Sequence, residues 1–152
     1  MSTLKVDSLV EKTSGNGVHI PGHVIQVVEG SASGSALIFT DINNSHLVDS
    51  LTITTKSANS KILVSGGFTF QNGNNTSFVC MVHYGGSEVY RFGEFSKEGR
   101  YAAFGSFLHS PNVAAGTTIT YETRAAKESS NSGTTMVINQ SHDKIILQEI
   151  AQ

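Results

Sequence analysis

The chain has 152 residues, a length suited to one domain with a core of its own, and only 14% of them are charged, against roughly 25% in ordinary soluble domains. Ser, Thr, Asn and 15 Gly supply the polarity instead, and the net charge of −2 gives no electrostatic pull toward nucleic acid or an anionic membrane. No apolar run approaches the roughly 20 residues of a membrane-spanning helix, and Cys80, the single cysteine, excludes an internal disulfide.

In chain order, residues 1–22 read as an extended amino-terminal arm. A strand-like piece at 4–10 is followed by turn chemistry at 11–17 and by Val18-His19-Ile20-Pro21-Gly22. Its apolar residues Leu4, Val6, Leu9, Val10, Val18 and Ile20 form no continuous face, so the arm is expected to be ordered only where it lies on another surface, which makes these six the candidate oligomer and docking residues. Residues 1–5 lack a basic segment followed by an apolar one, and no signal peptide is expected. Pro21-Gly22 marks the boundary to a second unit, residues 23–152.

Within that unit, residues 23–28 predict the first strand and 29–35 a flexible loop. Residues 36–39 and 47–55 predict two more strands, with a turn at 57–60. The most informative stretch is 61–84. Ile62, Val64, Gly66, Phe68 and Phe70 fall on one face and Lys61, Ser65, Gly67 and Thr69 on the other, the period-2 signature of a half-buried strand. Residues 71–75, rich in Asn and Gly, predict a reversal into a second arm, so that the two form a central hairpin. In this second arm Phe78, Cys80, Val82 and Tyr84 share a face while Val79 and Met81 are apolar on the other, as in a strand covered on both sides. Cys80 is expected to act as a small core hydrophobe, because a reactive thiol needs an exposed, electropositive setting.

Further strands are predicted at 88–92, 101–109 and 118–125, with turns carrying Gly85-Gly86, Gly93, Gly99, Pro111-Asn112 and Gly116. Residues 134–138 and 144–150 predict two closing strands flanking a polar turn. No capped apolar stretch of 3.6 period is long enough for a helix. The expected fold is therefore all-β, an antiparallel, jelly-roll-like β-sandwich preceded by the extended arm. Apolar residues on both faces of its strands predict a self-associating protein.

The residues offer little chemistry. The six histidines make no His-x-His or Glu-x-x-His pair, and His19 and His23 are separated by Pro21-Gly22, so no metal site is expected. Residues 41–46 lack the Gly and distal Glu of a calcium loop. There is no Gly-x-Ser-x-Gly elbow and no phosphate loop, the acids are scattered, and neither catalytic residues nor a cofactor are expected. The segment 88–101, EVYRFGEFSKEGRY, is the densest in aromatics and charge. Tyr90, Arg91, Glu94, Arg100 and Tyr101 are the candidate ligand loop, for a sugar or a protein, although half of Tyr90, Phe92, Phe95 and Tyr101 should face the core by alternation.

Thr3-Leu4-Lys5-Val6-Asp7-Ser8-Leu9 and Gly17-Val18-His19-Ile20-Pro21-Gly22-His23-Val24-Ile25-Gln26-Val27 resemble the amino-terminal pattern of small tailed-bacteriophage virion structural proteins of the tail-fibre or decoration type. Residues 57–64, 86–90, 137–141 and 146–151 are similar to the strands that follow in that group. The resemblance implies a β-sandwich head, a homotrimer, and an arm that serves attachment to other virion proteins of the capsid or tail. It carries no catalytic motif. It also implies a place in the virion after assembly in the host cytoplasm; the charge and the lack of a long apolar run predict no nucleic-acid binding and no membrane insertion. A homotrimeric capsid decoration protein is the leading expectation, since a host-reaching fibre needs a shaft that this length leaves no room for. A short tail fibre binding a host surface glycan is the alternative, and a polysaccharide hydrolase the less favoured one.

Overall fold

The computed structural model describes residues 20–30, 37–39, 44–72, 77–96, 98–127 and 136–152. Nine strands run through them: β1 (Val24–Gly30), β2 (Leu37–Phe39), β3 (Ser45–Thr54), β4 (Lys61–Asn72), β5 (Phe78–Tyr84), β6 (Ser87–Phe95), β7 (Gly99–His109), β8 (Thr118–Lys127) and β9 (Met136–Ile150). All pairings are antiparallel. One sheet has the order β1-β9-β4-β7, with β2 also pairing β9, and the other has the order β3-β8-β5-β6. The fold is an all-β sandwich, and no helix occurs among the described residues.

The inner faces of the two sheets meet in a continuous apolar layer. At one end Phe68, Phe70, Phe78, Cys80, Ala103, Ala125 and Ile138 are buried together. At the other end Ile53, Ile62, Val64, Val82, Ile119, Tyr121, Ile145 and Leu147 do the same. The period-2 reading of β4 holds: Ile62, Val64, Phe68 and Phe70 are buried while Lys61, Ser65 and Thr69 are half-buried on the opposite face. Both sides of β5 are covered as well. Phe78, Cys80 and Val82 point into the inter-sheet layer, and Val79 and Met81 join Ala126 in a small buried cluster on the sheet's outer side. Cys80 is fully buried, and that burial pushes its thiol pKa well above the ordinary range.

Two expectations are corrected. β4 and β5 do not form a hairpin: β4 pairs with β7 and β9, and β5 with β6 and β8, so residues 61–84 cross from one sheet to the other. Turn residues at 71–75 mark a change of direction, but an Asn-Gly pair cannot decide which strand is the partner when both edges of β4 are taken by longer ladders. Residues 136–150 form one strand rather than two. Its register on β4 shifts so that Lys144 pairs with Gly67 and Asn139 with Thr69, and the polar stretch is absorbed as an irregularity inside the ladder. Residues 41–43, 73–76 and 128–135, which include the start of the 41–46 stretch, most of the turn predicted at 71–75 and the start of the strand predicted at 134–138, lie outside the described residues.

Candidate functional site

β5 turns into β6 at Gly85-Gly86, with φ of 59° and 81°, a two-residue reversal that requires left-handed backbone at both positions and so selects glycine. This turn rims an open cleft of about 330 Å³ lined by His83, Tyr84, Gly85, Gly86, Thr118, Ile119, Thr120 and Glu122. On the cleft's outer side the β8 and β3 threonines are paired hydroxyl to hydroxyl, Thr54 with Thr118 at 3.0 Å and Thr52 with Thr120 at 3.2 Å.

His83 stands among saturated charges. Arg124 donates to Glu122 Oε2 at 2.7 Å, to Ser45 Oγ at 3.0 Å and to the Ser45 carbonyl at 2.8 Å. Arg91 binds Glu88 in a two-pronged pair at 2.9 and 3.0 Å, which holds the Glu88 carboxyl below its usual range. Partial burial, then the nearby Arg124, lowers the His83 pKa, against the opposing pull of Glu122 and Glu88. The imidazole is thus neutral at pH 7 and lies 3.2 Å from Met81 Sδ. Below the cleft, inside the sandwich, His109 Nδ1 and the Tyr121 hydroxyl are 2.8 Å apart, with Tyr84 packed against both rings. Burial lowers the His109 pKa and, with Tyr84, raises that of Tyr121. Such a surface offers hydroxyls, glycine backbone and a neutral ring to a polar ligand.

The five candidate ligand residues are not brought together. Tyr90 stacks on Phe107 at 4.5 Å and Tyr101 on Phe70 at 5.5 Å, both half-buried against the core. Arg91 and Glu94 project from the outer side of the β3-β8-β5-β6 sheet, Arg91 toward Glu88 and Glu94 accepting from Ser77 Oγ at 2.8 Å. Arg100 is exposed on the other sheet, opposite Gln71. Phe92 and Phe95 also pack on the core, so all four aromatics of this segment face inward. An extra residue in β6 between the partners of Cys80 and Met81 swaps the parity of the strand, which strict alternation does not anticipate.

Of the candidate arm residues, Leu4, Val6, Leu9, Val10 and Val18 lie outside the described residues, and Ile20 is exposed. Where the arm enters the sandwich, Gly22 N donates to the Ala151 carbonyl at 2.8 Å and Ala151 N to the His23 carbonyl at 2.9 Å. Among the described residues, no group of three or more His, Cys, Asp or Glu side chains is placed to hold a metal ion.

One polar anchor escaped the sequence reading. Glu149 is fully buried. It accepts from Lys56 N at 2.9 Å, Ser57 N at 3.0 Å and Ser60 Oγ at 2.7 Å, and from Gln26 Nε2. The available signal was its parity: it follows Ile145 and Leu147 on the inward face of β9.

No family model matches the chain, and no curated protein matches it. Solved structures share its fold. A chain in the structure of infectious bursal disease virus Gx strain aligns with a TM-score of 0.52 at 11% identity, over 83% of this chain and 32% of that one. A Gt strain chain gives 0.50 at 8% identity, over 84% and 38%. A chain of T=1 particles derived from infectious bursal virus gives 0.50 at 8%, over 84% and 36%. The present chain therefore spans about a third of the length of each.

Proposed function

We propose that this chain is a non-enzymatic virion structural protein, a homotrimeric capsid decoration protein that docks through its amino-terminal arm, residues 1–22. The carrying observation is the fold: an antiparallel sandwich matching chains from a virus and from virus-derived particles over 83–84% of its length. The low charge and the Ser, Thr and Asn surface support packing among many like copies, because they avoid repulsion between identical subunits. Gly22 and His23, where the proposed arm would join the sandwich, are hydrogen-bonded to Ala151 beside the carboxy terminus.

The test is immunogold electron microscopy of purified particles from cells producing the chain, with an antibody to it. Label distributed over particle heads is expected. Finding the chain only in the particle-free supernatant overturns the reading. The cleft at His83, Thr118, Thr120 and Glu122 favours a second reading, a short tail fibre recognising a surface glycan. That reading requires purified protein to adsorb to host cells and the label to concentrate at tails.

A further inference from the structure

The two outer faces of the sandwich differ in kind. The β3-β8-β5-β6 sheet presents the Arg124–Glu122 and Arg91–Glu88 ion pairs and the threonine pairs described above. The β1-β9-β4-β7 sheet carries most of the exposed hydrocarbon, around the Lys144–Glu29 pair. Among the described residues seven large apolar side chains are exposed, and the registers place five of them, Val24, Val27, Ile38, Phe104 and Leu108, on this one outer face, each 44–66% exposed. Leu63, opposite Leu108, and Ile146, opposite Glu29, continue the surface between them.

Backbone and charge both suit this face to a partner of its own kind. At Gly67 a Cβ would meet the Ala103 carbonyl at 1.9 Å and the Phe104 ring at 2.7 Å. The Phe104 ring therefore lies down over the bare strand and keeps the face low. Ser65, Ser106 and Ala102 leave shallow gaps between the larger side chains. Lys144 is paired with Glu29 at 2.5 Å, and Lys61 and Arg100 stand at opposite ends of the strands. Lys144 and Glu29 neutralise each other on the face itself, so two copies can approach without net like-charge repulsion there. Four strands spaced about 4.8 Å apart, from 7 to 15 residues long and counted at an average of roughly ten, at about 3.4 Å per residue, present roughly 650 Å². Two such faces bury roughly 1,300 Å², inside the range of stable specific interfaces and above that of incidental contacts.

We infer that the outer face of the β1-β9-β4-β7 sheet is an interface between copies of this chain, with Leu63 and Ile146 on its two central strands and Phe104 and Leu108 on its edge strand β7. It deepens the reading of the chain as a self-associating virion component and rests on it for its purpose, though not for its test. Light scattering on the full chain is expected to give a multiple of 16.2 kDa. The double substitution Phe104→Glu, Leu108→Glu is expected to reduce it to the single-chain mass, with the β circular-dichroism spectrum and a cooperative melt retained. Should that variant fail to fold, Val27→Glu with Leu108→Glu, which leaves the Gly67–Phe104 contact in place, is expected to give the same drop in mass. Thr120→Glu, on the opposite outer face, should keep the mass of the parent chain. A monomeric parent overturns the inference, as does a folded face variant of unchanged mass. Deletion of residues 2–19 that by itself yields the monomer also overturns it, transferring the association to the arm. Oligomers that never label particles would instead overturn the virion reading and leave this interface standing.

Discussion

At the scale of single residues the buried polar groups make the sharpest demands. Glu149 is fully buried and receives only N–H and O–H donors from the β3–β4 turn and from Gln26. Glu149→Gln turns an NH₂ group toward backbone N–H donors, and charge-assisted bonds of this type contribute about 1.5–3 kcal/mol each. A loss of about 2–3 kcal/mol is expected, read as a lower denaturant midpoint at unchanged slope. An unmoved midpoint would mean that water reaches this carboxylate. Cys80 poses the opposite case. Buried in the core with its thiol pKa raised, it should resist thiol reagents in the native protein and react only as the sandwich unfolds. Fast labelling without denaturant would contradict its burial.

His109 and His83 bring in pH. Burial holds both imidazoles below the ordinary 6.5, with Arg124 adding to the shift at His83 while Glu122 and Glu88 oppose it. The unfolded chain then binds these protons more readily than the folded one. Their contribution is fully present above pH 6.5 and is lost as pH falls below it, down to the depressed folded values. Melting temperature should therefore drop between pH 7 and 5, with a smaller drop in His109→Asn. A profile flat over that interval in the parent chain would rule out both groups.

At the scale of elements, deletion of residues 144–152 is the decisive change. The second half of β9 lies between β1 and β4, and Ile145, Leu147 and Ala151 are fully buried. Removing it exposes two ladders and costs about 1.5–3 kcal/mol per large apolar side chain. Insoluble protein is expected, and a soluble folded product would show that β9 is dispensable. The strands themselves were legible because their signal is local: alternation through Ile62, Val64, Phe68 and Phe70, and the Gly85-Gly86 turn. Pairing was not. Which ladder β4 joins depends on β7 and β9, whose paired residues lie from 27 (Asn72 to Gly99) to 89 (Lys61 to Ile150) positions away, and no turn residue at 71–75 encodes that. The β6 irregularity at Phe92 was equally hidden, since one added residue reverses which aromatics face the core without altering composition. The candidate ligand segment is not assembled either: Tyr90, on β6, and Tyr101, on β7, pack against Phe107 and Phe70 rather than presenting their hydroxyls together.

For the molecule as a whole, the question is where the self-supporting unit begins. Sequence placed the boundary at Pro21-Gly22 because turn residues separate the arm's scattered apolar positions from the first strand. The hydrogen bonds give the same junction an energetic meaning. Gly22 N to the Ala151 carbonyl and Ala151 N to the His23 carbonyl tie the start of the sandwich to its last buried residue. Two truncations on either side of those bonds should behave differently. Removal of residues 2–20 leaves both bonds and the whole of β1, so the melting temperature should stay within a few degrees of the full chain while any arm-dependent docking is lost. Removal of residues 2–24 deletes both partners of Ala151 and the first residue of β1, leaving a buried amide and carbonyl unpaired at about 1–3 kcal/mol each. For a domain of this length that corresponds to a fall of roughly 4–10 °C or more. Equal melting temperatures for the two truncations would show that the junction carries no stability. A large drop already in the shorter one would make the arm part of the sandwich, not an appendage to it.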